Sequence, residues 1–252
     1  MFSDLWNVVT HSMEKRLLEL CGKRSKLSED DKKEIYKITD DLVKGKFSLD
    51  TKVTDEDEYS KDKWGYTSVM LAAKSGELEV VQYLVERGAS IIEKDIHWGK
   101  SAIILAAFTG HLEVVKYLHS RGASLMDTDR NGATIVMFAA MSGKLEVIKY
   151  LESRGASLIE KTDKGFTAVM FAAEKDHLQV LKYLDAKGAS LIEKSTSIIA
   201  YSGQLRTALD FAKRSSMTPQ TETLKWLEGR LDGSIEVEVL EEDEKIVKPA
   251  KH

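Results

Sequence analysis

One pattern is written four times in this chain. It reads GYTSVMLAAKSGELEVVQYLVERGA at 65–89, GKSAIILAAFTGHLEVVKYLHSRGA at 99–123, GATIVMFAAMSGKLEVIKYLESRGA at 132–156 and GFTAVMFAAEKDHLQVLKYLDAKGA at 165–189. The closing glycines Gly88, Gly122, Gly155 and Gly188 recur at steps of 34, 33 and 33 residues, as do Tyr83, Tyr117, Tyr150 and Tyr183. Within a copy, a short helix (Ser101 to Thr109) is expected to break at Gly110 and a second (Leu112 to Arg121) to end at Gly122. Neither can bury its apolar face alone. A fixed period of this kind implies a stacked array of helix pairs that share one continuous core.

Composition narrows the function classes. The 252 residues suffice for a sizeable core. Net charge is −4, with 31% charged residues and a pI near 5.9, so the balance gives no support for nucleic acid as the main ligand. The one cysteine, Cys21, allows no intrachain disulfide and points to an intracellular setting. It reads as a small buried residue. The first 23 residues lack an uninterrupted signal-peptide core, and their acidic residues argue against a transit peptide. No stretch approaches the ~20 apolar residues of a membrane span. The expected location is the cytoplasm or the nucleus.

Taken in order, residues 1–60 read as a helical cap. Phe2, Leu5, Trp6, Val9, Met13, Leu17 and Leu20 share one face of a helix over 2–22. Ser28 caps a second helix, with Glu29, Asp30 and Asp31 in its first turn and Ile35, Ile38 and Leu42 as its stripe. Gly45 is the expected stop. The segment 51–61 reads as an acidic surface connection. Repeats fill 61–232, about five of them. Between copies lie return segments of about ten residues with turn formers, which fit hairpin-like fingers. The fifth copy is irregular: its finger is seven residues longer and its interhelix link, which contains Pro219, three longer. Its helices read as 207–215 and 221–231, with Trp226 in the tyrosine slot. Residues 233–252 form an acidic tail with alternating Val and Ile, expected to be flexible. Met1 and a cap at each end read as a complete small protein.

The units resemble ankyrin repeats, whose pattern places G-x-T-P-L-H-x-A-A before G-H-x-x-V-V-x-x-L-L-x-x-G-A. Gly65, Gly99, Gly132 and Gly165 match the first glycine. Thr67, Thr134 and Thr167 match the threonine, with Ser101 in the second copy. The pairs Ala72–Ala73, Ala106–Ala107, Ala139–Ala140 and Ala172–Ala173 match the alanines. The pattern's proline is replaced by Ser68, Ala102, Ile135 and Ala168. Its histidine is replaced by Met70, Ile104, Met137 and Met170, which makes that slot apolar. The glycine between helices becomes Asp176 in the fourth copy. The resemblance implies an all-α solenoid of stacked helix pairs with hairpin-like fingers.

The copies can also be compared with one another. A position that repeats in every copy satisfies a contact that every copy makes, which means stacking. Val80, Val114, Val147 and Val180, with Leu84, Leu118, Leu151 and Leu184, are assigned to the layer between repeats. The recurring tyrosines are expected to bury the ring and keep the hydroxyl wet. Glu79, Glu113 and Glu146 read as solvated or paired surface carboxylates. Positions that vary on the fingers and first helices are not dictated by the stack. By resemblance they line a concave partner groove: Trp64 and Tyr66, Trp98 and Lys100, Arg130 and Asn131, then Asp163, Lys164 and Phe166, with Lys74, Phe108, Thr109, Met141 and Lys175 from the helix ends. Trp64 and Trp98 serve either as binding anchors or as packing over the neighbouring finger, and both readings stand at this stage.

Chemical motifs are lacking. No His, Cys and carboxylate set has metal-ligand spacing, and no P-loop, G-x-G-x-x-G or G-x-S-x-G occurs. No catalytic residue, cofactor or metal is expected. The leading reading is a non-enzymatic adaptor, assembly chaperone or inhibitory subunit, monomeric alone, that holds a protein partner in its groove. The alternative is an anchoring component that docks through its N-terminal helices or tail. A ligand-regulated sensor or enzyme is the third.

Overall fold

The computed structural model describes residues 2–23, 26–44, 48–50, 65–195, 206–215 and 221–236, with backbone alone for 2–11 and 215. Trp64, Gly45, Pro219, the extra length of the fifth finger and the tail from residue 237 lie outside the described residues.

The described residues form twelve helices and no strands, an all-α solenoid. The pairs are α1 (Phe2–Cys21) and α2 (Glu29–Lys44), α3 (Ser68–Ser75) and α4 (Leu78–Glu86), α5 (Ala102–Thr109) and α6 (Leu112–Ser120), α7 (Ile135–Met141) and α8 (Leu145–Ser153), α9 (Ala168–Glu174) and α10 (Leu178–Ala186), and α11 (Ala208–Ser215) and α12 (Glu222–Asp232). First helices pack in one row, α1 on α3, then α5, α7, α9 and α11. Second helices form the other, α2 on α4, then α6 and α8, and α10 on α12.

Local chemistry sets the helix lengths. Thr67, Thr134 and Thr167 hold extended backbone and accept a hydrogen bond from the N–H three residues on, at 3.3, 3.4 and 3.4 Å. Ser101 holds the same backbone but makes no such bond. Left-handed Gly76 and Gly110 close α3 and α5. Gly76 is needed for a second reason: a Cβ there would sit 2.4 Å from the His111 imidazole of the next repeat. Asp176 adopts φ 61° where the other copies have glycine, the substitution such a position tolerates best after Asn.

The alanine pairs, the valines and leucines of the interrepeat layer, and the apolar residues in the histidine slot (Met70, Ile104, Met137 and Met170) are all buried. Burial of each large side chain contributes roughly 1.5–3 kcal/mol. The first pair joins this core through Leu17, Leu20, Cys21, Ile35, Ile38 and Leu42. Ser28 caps α2 as expected, accepting from Asp31 N–H at 3.1 Å while the Asp31 carboxylate accepts from Ser28 N–H. The buried Glu77 side chain accepts from Leu27 N–H at 2.9 Å, tying this pair to the first repeat.

Two expectations are corrected. The tyrosine hydroxyls are not simply wet. Tyr83 donates to Asp40 at 2.9 Å, Tyr150 bonds His119 at 2.9 Å and Tyr183 donates to Glu152, each reaching back into the preceding helix pair. The Tyr117 hydroxyl is buried without a partner among the described residues. Nor does recurrence always mean stacking. Ile92, Met126, Ile159 and Ile192 fill one finger slot in four copies and are 74%, 62%, 62% and 68% exposed. In the first three, the N–H of this residue is held by a serine two positions earlier (Ser90, Ser124 and Ser157), a local turn that faces the side chain outward.

Candidate functional site

The fingers are built by one recurring polar slot. The buried Asp95 accepts from the N–H groups of His97, Trp98 and Lys100 at 2.9, 2.7 and 2.8 Å. Asp129 does the same for Asn131 and Ala133 at 2.9 and 2.8 Å. Thr162 takes over in the fourth finger, accepting from Phe166 N–H at 3.0 Å. Each hairpin is closed by a backbone bond across its base: Asp95 to Lys100, Asp129 to Ala133, Thr162 to Phe166 and Ser195 to Arg206. Neighbouring fingers are stitched at their tips by Arg130 N–H to Trp98 C=O at 2.8 Å and Asp163 N–H to Asn131 C=O at 3.0 Å. The hairpin-like fingers expected from the turn residues are therefore present, with one isolated bridge in each of two of them and no ladder.

Between these fingers and helices α5, α7 and α9 lies a groove of about 390 Å³. Its lining includes Trp98, Phe108, Phe138, Phe166 and Phe171, with Met141 and the cations Lys100 and Lys164. Phe108 meets Phe138 edge-on at 6.2 Å, and Phe166 stacks on Phe171 at 5.8 Å. Trp98 and Phe108 keep 44% and 36% of their surface in solvent. The Lys100 ammonium lies 4.9 Å from the Phe138 ring centroid and 5.8 Å from those of Trp98 and Phe108. Burial pushes its pKa below the usual lysine value, against the opposing pull of Asp95 and Asp129.

A family model for ankyrin repeats matches the sequence three times, over residues 42–129, 92–163 and 125–195. The chain belongs to the ankyrin-repeat family. No curated protein matches it. Ankyrin repeats generally mediate protein–protein interaction, so protein partners are implied. Among the described residues no helix is long and apolar enough to cross a membrane.

On this ankyrin framework the structure gathers seven of the anticipated groove residues: Trp98, Lys100, Phe108, Asn131, Met141, Lys164 and Phe166. Others stand elsewhere. Tyr66 is buried, 6% exposed, with the Lys74 ammonium 5.0 Å from its ring centroid. Lys74 and Thr109 face a separate polar depression near Gly22, Glu77 and His111. Thr109 spends its hydroxyl on Leu105 C=O at 2.9 Å. Arg130 is an exposed brace whose Cγ would be 2.8 Å from a Cβ at Gly99 and whose guanidinium donates to His97 C=O at 3.3 Å. Asp163 is exposed at a finger tip beside Gly132, and Lys175 is exposed beside Glu174 at 3.4 Å. Both lie off the groove lining.

Five lining residues were missed: Asp129, Ala133, Phe138, Thr162 and Phe171. A signal for two of them was present. The residue before each alanine pair runs Leu71, Leu105, Phe138, Phe171, a first-helix position that changes between copies.

Proposed function

We propose that this protein is a non-enzymatic interaction module that seats part of a protein partner in the aromatic groove over α5, α7 and α9. The observation that carries the reading is the set of rings at that groove. Trp98 and Phe108 retain open surface while the interrepeat layer around them is fully buried. Amphipathic aromatics in such a setting supply contact area at low entropic cost and dominate binding energies. In this reading the module acts inside the cell as an adaptor, an assembly chaperone or an inhibitory subunit, and is monomeric when alone. The partner's identity decides among these roles.

The test is a quantitative pull-down from source-cell extract with three baits: the intact chain, the Trp98→Ala/Phe108→Ala variant, and a chain lacking residues 1–50 and 237–252. Each bait is first checked for helicity. A partner lost with the double variant supports the groove. A partner kept by the double variant and lost with the trimmed chain overturns the groove reading and moves the site to the termini.

A further inference from the structure

Granting that the groove binds protein, the charges around its rings say what kind of segment it takes. A cluster of aromatic faces ordinarily attracts a cation. Here that seat is already occupied, because the Lys100 ammonium lies within 5.8 Å of the Trp98, Phe108 and Phe138 ring centroids. A lysine or arginine from a partner would meet these three rings only after meeting Lys100.

Lys100 feels the charges of Asp95 and Asp129 but is paired with neither. Among the described residues it has no ion-pair partner within 4.0 Å, and neither does Lys164 at the other end of the groove. The nearby carboxylates are committed elsewhere. Asp95 spends both oxygens on three N–H groups of its own finger, and Asp129, the one carboxylate in the lining, holds two N–H groups of the next through Oδ1 and the Asn131 side-chain amide through Oδ2 at 3.5 Å. In the fourth finger the same slot is a neutral threonine, Thr162, so the groove grows more positive toward Lys164. Asp163 adds a negative charge at the finger tip but is not part of the lining.

We propose that the groove binds a partner segment in which an apolar side chain, seated on the rings, is bracketed by carboxylates that pair with Lys100 and Lys164. The two lysines come from fingers two repeats apart. At 8–10 Å per packed helix that is roughly 16–20 Å, or about five to six residues of extended chain at ~3.3 Å each. Long lysine side chains shorten the required spacing. A carboxylate at the Lys100 ammonium also relieves the cost of holding that charge half-desolvated.

Three acetylated, amidated heptapeptides test this. The first has a central phenylalanine with an alanine and then two glutamates on each side. The second has lysine for every glutamate. The third has alanine for the phenylalanine. Each is titrated into the full chain at low ionic strength while the Trp98 indole N–H is followed by ¹⁵N NMR, assigned by its loss in Trp98→Phe. The glutamate–phenylalanine peptide is expected to bind at least tenfold more tightly than either of the others. Raising the salt from about 20 to 500 mM should weaken it severalfold. Lys100→Gln should weaken it about tenfold, and Lys100→Glu should shift the preference to the lysine peptide, with circular dichroism unchanged in both.

Equal or tighter binding of the lysine peptide to the unaltered chain overturns the proposal. So does binding indifferent to Lys100→Gln. A concentration-dependent broadening of the Trp98 signal without peptide assigns the groove to a second copy instead. Peptide binding that emerges only when residues 237–252 are removed assigns it to the chain's own acidic end. If no peptide binds while the captured partner still depends on Trp98 and Phe108, the groove reading stands and this chemistry fails by itself.

Discussion

Single residues in this array can be compared with their counterparts one repeat away. Thr134 accepts the capping bond at the start of α7, and its loss in Thr134→Ala should cost about 1–2 kcal/mol. Ser101 occupies the same position before α5, yet its hydroxyl is buried and unpaired. Ser101→Ala therefore discards no bond and removes a desolvated hydroxyl, so it should cost less than about 0.5 kcal/mol. Urea unfolding of the two variants checks the difference, and equal losses would show that Ser101 makes its cap in solution. Cys21 follows the same logic of burial: its thiol is pushed up to about 12 and sits in the core. Burial moves the groove's lysine the other way, lowering the Lys100 pKa against the pull of Asp95 and Asp129.

At the scale of elements, ion pairs hold α1 to α2 and tie that pair to the first repeat. Lys32 bridges to Glu79 on α4 at 2.6 Å, Arg16 joins α1 to Glu34 on α2 at 2.8 Å, and Lys23 meets Asp31 at 2.5 Å. The hydrogen bond from Lys23, then those from Ser28, hold Asp31 down at about 2. Arg16 lowers Glu34 and Lys32 lowers Glu79. These carboxylates titrate lower in the folded chain than in the unfolded one. Their contribution is thus present above about pH 4.5 and is lost as pH falls through the folded values toward about 2. Hydrogen exchange between pH 5 and 2.5 should show α2 losing protection before α7. Simultaneous loss would mean that these pairs are too screened to matter, a common fate of exposed ion pairs.

For the whole molecule, cohesion is a chain of nearest-neighbour contacts: among the described residues, the main contacts of each helix pair are with the pairs before and after it. Leu118 lies fully buried in α6, near the middle of the stack. Leu118→Ala should cost about 2–5 kcal/mol by chemical denaturation, through lost transfer energy and the cavity left behind. Trp98→Ala/Phe108→Ala, at partly open positions, should cost only about 1 kcal/mol, mostly the edge contact with Phe138. A binding loss in that variant can then be separated from unfolding. A comparable destabilisation by both changes would show that the groove rings belong to the scaffold.

The sequence by itself determined the repeat, its period, the pairing of helices and most of the core, because stacking imposes the same demand on every copy and leaves it visible as recurrence. Met70, Ile104, Met137 and Met170 were legible as an apolar slot for that reason. Only the tertiary structure decided which varying residues share one groove. Tyr66 and Phe166 follow equivalent glycines, yet one is buried and the other lines the groove against Phe171, since the depth of a side chain depends on the neighbouring repeat. The placement of Lys100 among rings drawn from a finger and two helices had the same origin: its contacts lie up to 38 residues away in sequence, at Phe138. The outward row from Ile92 to Ile192 shows the converse. Recurrence there accompanies a serine-held turn in three of the four fingers, a local constraint that leaves the same trace in the sequence as a shared core.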